Sequence, residues 1–316
     1  FRYDGSSKSN SDNRWGFFPS VSGGWRVSEE AFMTDYREKF GELKLRGSYG
    51  ILGNQNVDDY QYQTTYNINH NAYGFNNVSV AGTGFTFANK ELKWELSKTF
   101  NVGVDATFFN NALYASVDYF NKRTSDILIT PEVPTVYGGA VPKYNAGEML
   151  NQGWEISLGY RFRKGDFRHN IGLNLADSWN EVLAFDGNEQ ISSSDQMQRI
   201  IRVGLPFNSY YGYKTDGYFQ NLDEVKNGAI PVGATVQPGD VRYVDRDNNG
   251  VIDDKDRFVL GNAFPRYTYG ITYDMSWKNF DFSLLLQGVG KRSMFLRGEL
   301  VEPFHSNYSY TMFTHQ

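Results

Sequence analysis

The densest group of side chains able to hold a metal is the run Asp245-Arg246-Asp247-Asn248-Asn249-Gly250-Val251-Ile252-Asp253-Asp254-Lys255-Asp256. Asp245, Asp247, Asn249, Asp253 and Asp256 offer oxygen side chains, and Val251 can add its carbonyl. Gly250 falls where such a loop must turn sharply, so the spacing meets the hard-oxygen requirement of Ca²⁺. Asp256 has a shorter arm than the bidentate Glu usual at the last position, which predicts weak affinity. The same Asp and Asn side chains can instead cap their own backbone amides in a metal-free turn. In either case the expected role is to stiffen a loop, with no part in catalysis.

The second candidate set is aromatic. Tyr60, Tyr62, Tyr66 and Tyr73 fall in one predicted loop, Tyr137 in another, and Tyr210, Tyr211 and Tyr213 in a third. Tyrosine rings can stack on sugar faces, and their hydroxyls can hold peptide backbone. They can equally pack loops against one another. Catalytic patterns are missing: His70, His169, His305 and His315 match no metal-ligand spacing, and there is no nucleophile elbow, P-loop or dinucleotide fingerprint. Most loop carboxylates are expected to be solvated surface. An enzyme is not expected.

The elements that must position these residues announce themselves by a period of two. Phe100, Val102, Val104, Ala106 and Phe108 alternate with Asn101, Gly103, Asp105 and Thr107. Trp154, Ile156, Leu158, Tyr160 and Phe162 alternate with Glu155, Ser157, Gly159 and Arg161. Tyr267 to Trp277 and Leu43 to Ile51 repeat the pattern. Alternate side chains of a strand face opposite sides, so each segment has one apolar and one polar face. About nine strands are expected, with a helical patch at Glu29 to Phe40. Connections alternate in length. Asn110-Asn111, Arg163 to Asp166 and Lys278-Asn279 read as tight turns, and long loops are expected at about 4–13, 53–93, 126–150, 181–265 and 289–316.

Short turns at one end and long loops at the other, joining strands near the roughly 9 to 11 residues of a tilted membrane span, form the plan of an outer-membrane β-barrel. Composition agrees: 16% of the chain is aromatic, with 22 Tyr and 24 Phe, and net charge is -5. That charge offers no basic field for nucleic acid. Mean hydropathy is -0.54, and no apolar run suits a transmembrane helix, although an alternating barrel wall would pass unseen by that measure. Trp25, Phe108, Phe109, Phe120, Trp154, Phe162, Phe167, Trp179, Trp277 and Phe280 are expected near strand ends, as an interfacial girdle against membrane lipid. With no cysteine, neither disulfides nor thiolate metal sites are available. Phe1 to Asp4 lacks the features of a signal peptide, and both ends read as continuing into a longer chain. Nine strands cannot close a barrel alone, because open edges in lipid leave backbone groups unpaired.

Arg14-Trp15-Gly16-Phe17-Phe18-Pro19-Ser20-Val21-Ser22 with Gly24-Trp25-Arg26 resembles the barrel signature of SusC/RagA-like, TonB-dependent outer-membrane transporters. So do Leu43 to Gly50 with Gly53-Asn54-Gln55, and Pro238-Gly239-Asp240-Val241-Arg242-Tyr243 followed by Gly261-Asn262 and Pro265-Arg266-Tyr267-Thr268-Tyr269-Gly270. Leu52 and Ala263 depart from the pattern, where Thr and Pro are usual. The resemblance implies an all-β fold, part of a 22-stranded transmembrane antiparallel barrel, in the outer membrane of Bacteroidota. It further implies a periplasmic plug and TonB box outside this segment, a SusD-like surface lipoprotein as partner, pairs of such complexes that can dimerise, and import of oligosaccharides or peptides. Two alternatives remain open at the level of sequence: a passive or adhesive barrel, and a secreted calcium-binding carbohydrate-active β-sandwich.

Overall fold

Strands form here because β-branched and aromatic residues alternate with small polar ones, a pattern that fits a pleated surface with two unlike sides. In the computed structural model, residues 1–130, 136, 141–187, 189–194 and 197–296 are described. Strands β1 (Arg2–Gly5) and β2 (Trp15–Phe18) pair as a ribbon. Between β3 (Ser20–Trp25) and β4 (Leu43–Asn54) the expected helical patch breaks into two short 3₁₀ turns, Val27–Glu29 and Ala31–Met33, and one helix, α1 (Thr34–Lys39). A separate hairpin follows, β5 (Thr65–Phe75) and β6 (Val78–Thr86). Next come β7 (Glu95–Phe108), β8 (Leu113–Ile129), β9 (Tyr144–Lys164) and β10 (Phe167–Phe185).

The long excursion after β10 is not a bare loop. It holds β11 (Glu189–Ser194), β12 (Met197–Arg202), β13 (Ser209–Tyr213), β14 (Thr215–Tyr218), helix α2 (Leu222–Asn227), β15 (Ile230–Pro231), β16 (Val241–Tyr243), β17 (Val251–Ile252) and β18 (Arg257–Gly261). The chain returns as β19 (Arg266–Trp277) and β20 (Phe280–Lys291). Contacts divide it into two units. Among the described residues, the first lies within 1–190, 201–207 and 266–290, and the second within 191–200, 208–265 and 291–296.

The first unit is built on one eight-stranded sheet in the order β20-β19-β10-β9-β8-β7-β4-β3. Its characterised pairs are antiparallel. Eight strands, not about nine, make this wall. Its hairpins close over turns that need left-handed backbone: Asn110 (φ 54) and Asn111 (φ 65) between β7 and β8, Gly165 (φ 61) between β9 and β10, Lys278 (φ 50) between β19 and β20. At the opposite end the strands run on further than expected. β8, β9 and β10 have 17, 21 and 19 residues, about twice a tilted span.

That length corrects the placement of three girdle residues. Phe120, Trp154 and Trp179 lie inside β8, β9 and β10, not at their ends. A strand that spans the membrane and continues beyond it places the far interface in its middle. The near margin is where it was expected. Phe162 stacks on His169 (centroids 4.5 Å), Phe167 on Trp277 (5.5 Å) and Trp277 on Phe280 (6.0 Å), all beside the tight turns.

A β-sandwich would bury the apolar face under a second sheet. Val102 is 38% exposed and Ile271 37%, while Ile156 is half-buried. None of these three is buried, and among the described residues no second sheet covers them, so the sandwich expectation is set aside. Small cores form elsewhere, from Val57, Leu92 and Leu128 in the first unit.

Candidate functional site

Register converts the two-faced sequence into two-faced rows. On one side Leu45, Val104, Val117, Ile156, Leu175 and Tyr269 stand opposite one another across six strands. One residue along, on the other side, the row reads Lys44, Asp105, Ser116, Ser157, Asn174 and Gly270. Apolar side chains that leave water gain about 25 cal/mol per Å², and polar ones that leave it lose more. A sheet so sorted needs hydrocarbon on one side and water or protein on the other.

The polar side carries a bonded network. Arg46 donates from Nε to Asp105 Oδ2 (2.7 Å), and from Nη2 to Asp105 Oδ1 (3.0 Å), Asp118 Oδ2 (2.9 Å) and Ser116 Oγ (3.2 Å). Gly103, between Arg46 and Asp118 in register, makes the space: a Cβ there would collide with Asp118 Oδ1 and lie 2.8 Å from Arg46 Nη2. Further along, Ser157 Oγ donates to Asn174 Oδ1 (2.9 Å) and Ser283 Oγ to Asp274 Oδ1 (2.7 Å). These pairs stiffen the wall without sealing its polar face. Sequence reasoning passed over them, although each partner sits at a polar-face position of the alternation.

A second cluster was also missed. Asp177 shares its face with Leu175 and stands opposite Trp154, yet it is 4% exposed. Arg266 grips it through both Nε and Nη2, the latter at 2.6 Å from Oδ2, and the Tyr267 amide adds a third bond (3.3 Å). The Arg266 guanidinium also lies over the rings of Trp179 (5.2 Å) and Tyr267 (5.4 Å). Tyr267 has φ 54, a left-handed conformation that a bulky residue adopts only when its surroundings impose it. Asp177, Arg266 and Trp179 fix where β19 enters the wall.

In the second unit the acidic turn draws together three of its six candidate ligands. Carboxylate oxygens of Asp245, Asp247 and Asp256 lie within 4.8 Å of one another. Asp245 accepts from the amides of Asn249 (3.2 Å) and Gly250 (2.8 Å). Asn249 turns its amide oxygen to the Val251 N–H (2.8 Å), and Asp253 caps Lys255 (2.7 Å). Asp256 is fully buried and accepts from Asp253 N (2.8 Å) and Arg246 N (2.7 Å). Backbone amides, that of Asp253 foremost, hold its carboxyl below the usual carboxylate range despite burial.

The tyrosines do not behave as one set. Tyr210, Tyr211 and Tyr213 lie on β13 and pack inside their unit: Tyr210 under Arg199 (5.8 Å), Tyr213 against Arg257 (5.4 Å) and Tyr243 (5.6 Å), and Tyr211 buried. Tyr60 sits at a turn with φ 63, exposed, and Tyr62 is half-buried. Tyr66 and Tyr73 stand on the β5–β6 hairpin opposite Phe85 and Val80, positions an odd number apart, so their rings project from opposite faces. Tyr137 lies outside the described residues.

Comparison with known proteins agrees with the wall. The family profile described as TonB dependent receptor-like, beta-barrel matches residues 1–289. TonB-dependent receptor P26 of Formosa agariphila is 31% identical over 306 residues, covering 91% of this chain and 29% of that protein. TonB-dependent receptor SusC of Bacteroides thetaiotaomicron is 32% identical over 302 residues, covering 90% of this chain and 28% of that one. The chain thus spans under a third of the length of these relatives. Among solved structures, the RagAB peptide transporter superposes with a TM-score of 0.73 at 24% identity, covering 90% of this chain and 30% of that one, a likeness of fold. Two-faced strands, tight turns at one end and a profile match over nearly the whole chain make it a wall segment of an outer-membrane barrel, a member of the TonB-dependent receptor-like β-barrel family and not of an enzyme family.

Proposed function

We propose that this chain forms part of the wall and outer face of a TonB-driven importer that takes up oligosaccharides or peptides, with a SusD-like lipoprotein over its outer mouth. One observation carries the reading: an eight-stranded sheet with an apolar and a polar face, turned tightly at one end and extended at the other into folded excursions. A passive pore needs only a wall and a constriction. Excursions that fold into sheets of their own provide surface for gripping a cargo or a lid. The kinship with SusC, a TonB-dependent receptor, supports TonB-driven uptake, and RagAB, alike in fold, is a peptide transporter.

The test uses the full-length receptor in its own outer membrane. Uptake of a labelled neutral oligosaccharide mixture and of a labelled peptide digest is compared with and without TonB. Loss of uptake of one cargo on TonB removal is expected. Equal uptake in both strains would leave a passive pore.

We further propose that the acidic turn takes a calcium ion between Asp245, Asp247 and Asp256, stiffening the excursion. Support comes from three carboxylates brought into reach of a single ion and from the hard-oxygen preference of Ca²⁺.

A further inference from the structure

Asparagine followed by glycine occurs twice in the second unit, at Asn227-Gly228 and Asn249-Gly250. In such a pair the glycine nitrogen can attack the asparagine side-chain carbon, because glycine brings no Cβ to hinder the approach. The two settings differ. Asn227-Gly228 closes α2 and is tied to it: Gly228 N–H donates to Glu224 O (2.8 Å) and Asn227 Nδ2 to Asp223 O (2.8 Å). Asn249-Gly250 lies in the exposed acidic turn, where Gly250 has φ 84 and nothing stands within 4 Å of an added Cβ. Its bonds are those a cyclisation needs. Gly250 N–H, the nucleophile, donates to Asp245 Oδ2 (2.8 Å). Asn249 Oδ1, where negative charge develops, accepts from Val251 N–H (2.8 Å). Asn249 Nδ2, the leaving nitrogen, donates to Asp247 Oδ2 (3.1 Å).

We propose that this turn modifies itself: Asn249 deamidates in the folded protein, with Asp245 as base and the Val251 amide as oxyanion donor. Gly250 N bonds to Asn249 Cγ as its proton passes to Asp245. The Cγ–Nδ2 bond then breaks, Nδ2 takes up that proton and leaves as ammonia, and a five-membered succinimide remains. Water opens the ring at either carbonyl, leaving aspartate or isoaspartate at position 249. Nothing is oxidised or reduced, and water is the sole co-reactant. The product sets a fourth carboxylate beside Asp245, Asp247 and Asp256, whose oxygens already lie within 4.8 Å of one another, and like charges held so close repel. Isoaspartate also lengthens the backbone by one methylene. Each event is therefore a one-way loosening of the turn. The inference needs neither an imported cargo nor a bound ion.

The experiment incubates the full-length receptor in detergent at neutral pH with a chelator, folded and unfolded in guanidinium chloride. Peptide mass spectrometry reads the conversion of Asn249 and Asn227 over time. In the unfolded chain both sites convert as bare dipeptides. Folding should speed Asn249 about tenfold, less than the roughly hundredfold of a base tuned to the working pH, and should slow Asn227. Asp245→Asn should remove the gain at Asn249 while Asn227 stays protected, which shows that the unit still folds. Should that variant lose the protection of Asn227, the wild-type comparison decides alone. Asn249 converting no faster in the folded receptor than in the unfolded chain, or at an undiminished rate in a folded Asp245→Asn, would overturn the proposal.

Discussion

Gly103 offers the sharpest test of the polar network, because a single methyl group separates two outcomes. In Gly103→Ala the new Cβ meets the carboxylate of Asp118 and the guanidinium of Arg46, both ends of side chains that can swing. The backbone need not move, but the Arg46–Asp118 bond at 2.9 Å must give. A charge-assisted hydrogen bond contributes about 1.5–3 kcal/mol. Arg46 and Asp118 are 32% and 22% exposed, so solvent screening lowers the loss to about 1–2 kcal/mol. Replacing glycine returns about 0.4–1 kcal/mol by narrowing the unfolded ensemble. The net expectation is a destabilisation of about 0.5–1 kcal/mol. Gly159 is the matched control: it lies on the same face, and nothing stands within 4 Å of its added Cβ. Gly159→Ala should therefore gain the entropic term alone. Urea titration of the full-length receptor, followed by gel mobility of the folded barrel, should place the two midpoints on opposite sides of wild type. Equal midpoints for Gly103→Ala and Gly159→Ala would show that the network holds nothing.

The clamp at Asp177 predicts an asymmetry. Its side chain is 3% exposed while Arg266 is 34% exposed, so Arg266→Ala strands a buried charge and should cost about 3 kcal/mol, whereas Asp177→Ala frees a partly hydrated cation and should cost about 2; urea midpoints of both variants check the order. At the acidic turn, Asp256 has a folded pKa below its unfolded value, so its contribution is full above about pH 4 and fades as pH falls through the depressed value. Amide exchange at Arg246 and Asp253 should accordingly accelerate as pH falls below about 4, beyond the intrinsic rate change, and Asp256→Asn should show the fast rate already at pH 7. Millimolar calcium should protect residues 245–256 from proteolysis in the wild type but not in Asp245→Ala with Asp247→Ala; identical cleavage patterns with calcium and with chelator would refute an ion there.

How much of this could be read beforehand depended on whether a residue answers to solvent or to a partner. Alternation is imposed by the medium on each side of a strand, so Phe100 to Phe108 and Trp154 to Phe162 declare their faces from local sequence alone. Tight turns at Asn110-Asn111 and Lys278-Asn279 were legible for a similar reason, since left-handed backbone selects its residues locally. The excursion from Asp186 to Pro265 was not. Its strands have two to six residues, too few for a period to emerge, and they pair across long separations, as Tyr210 does with Gly261.

Asp177 shows the same limit within the wall. By parity it is an acid on the hydrocarbon-facing side, which read alone looks like the point where the apolar pattern fails. What makes it tolerable is Arg266, 89 residues later in the chain and delivered by the strand that returns beside β10. A buried ion pair is weak evidence for stability, because the desolvation of both charges offsets much of their attraction. Its bidentate geometry, with Trp179 beneath the guanidinium and a left-handed Tyr267 beside it, admits one register of β19 against β10. A shift of one residue would turn Tyr267, Tyr269 and Ile271 toward the polar side and set Thr268 and Thr272 against lipid. The buried ion pair is thus best understood as the device that sets the register of the returning strand, and with it the two-faced sorting on which the barrel wall depends.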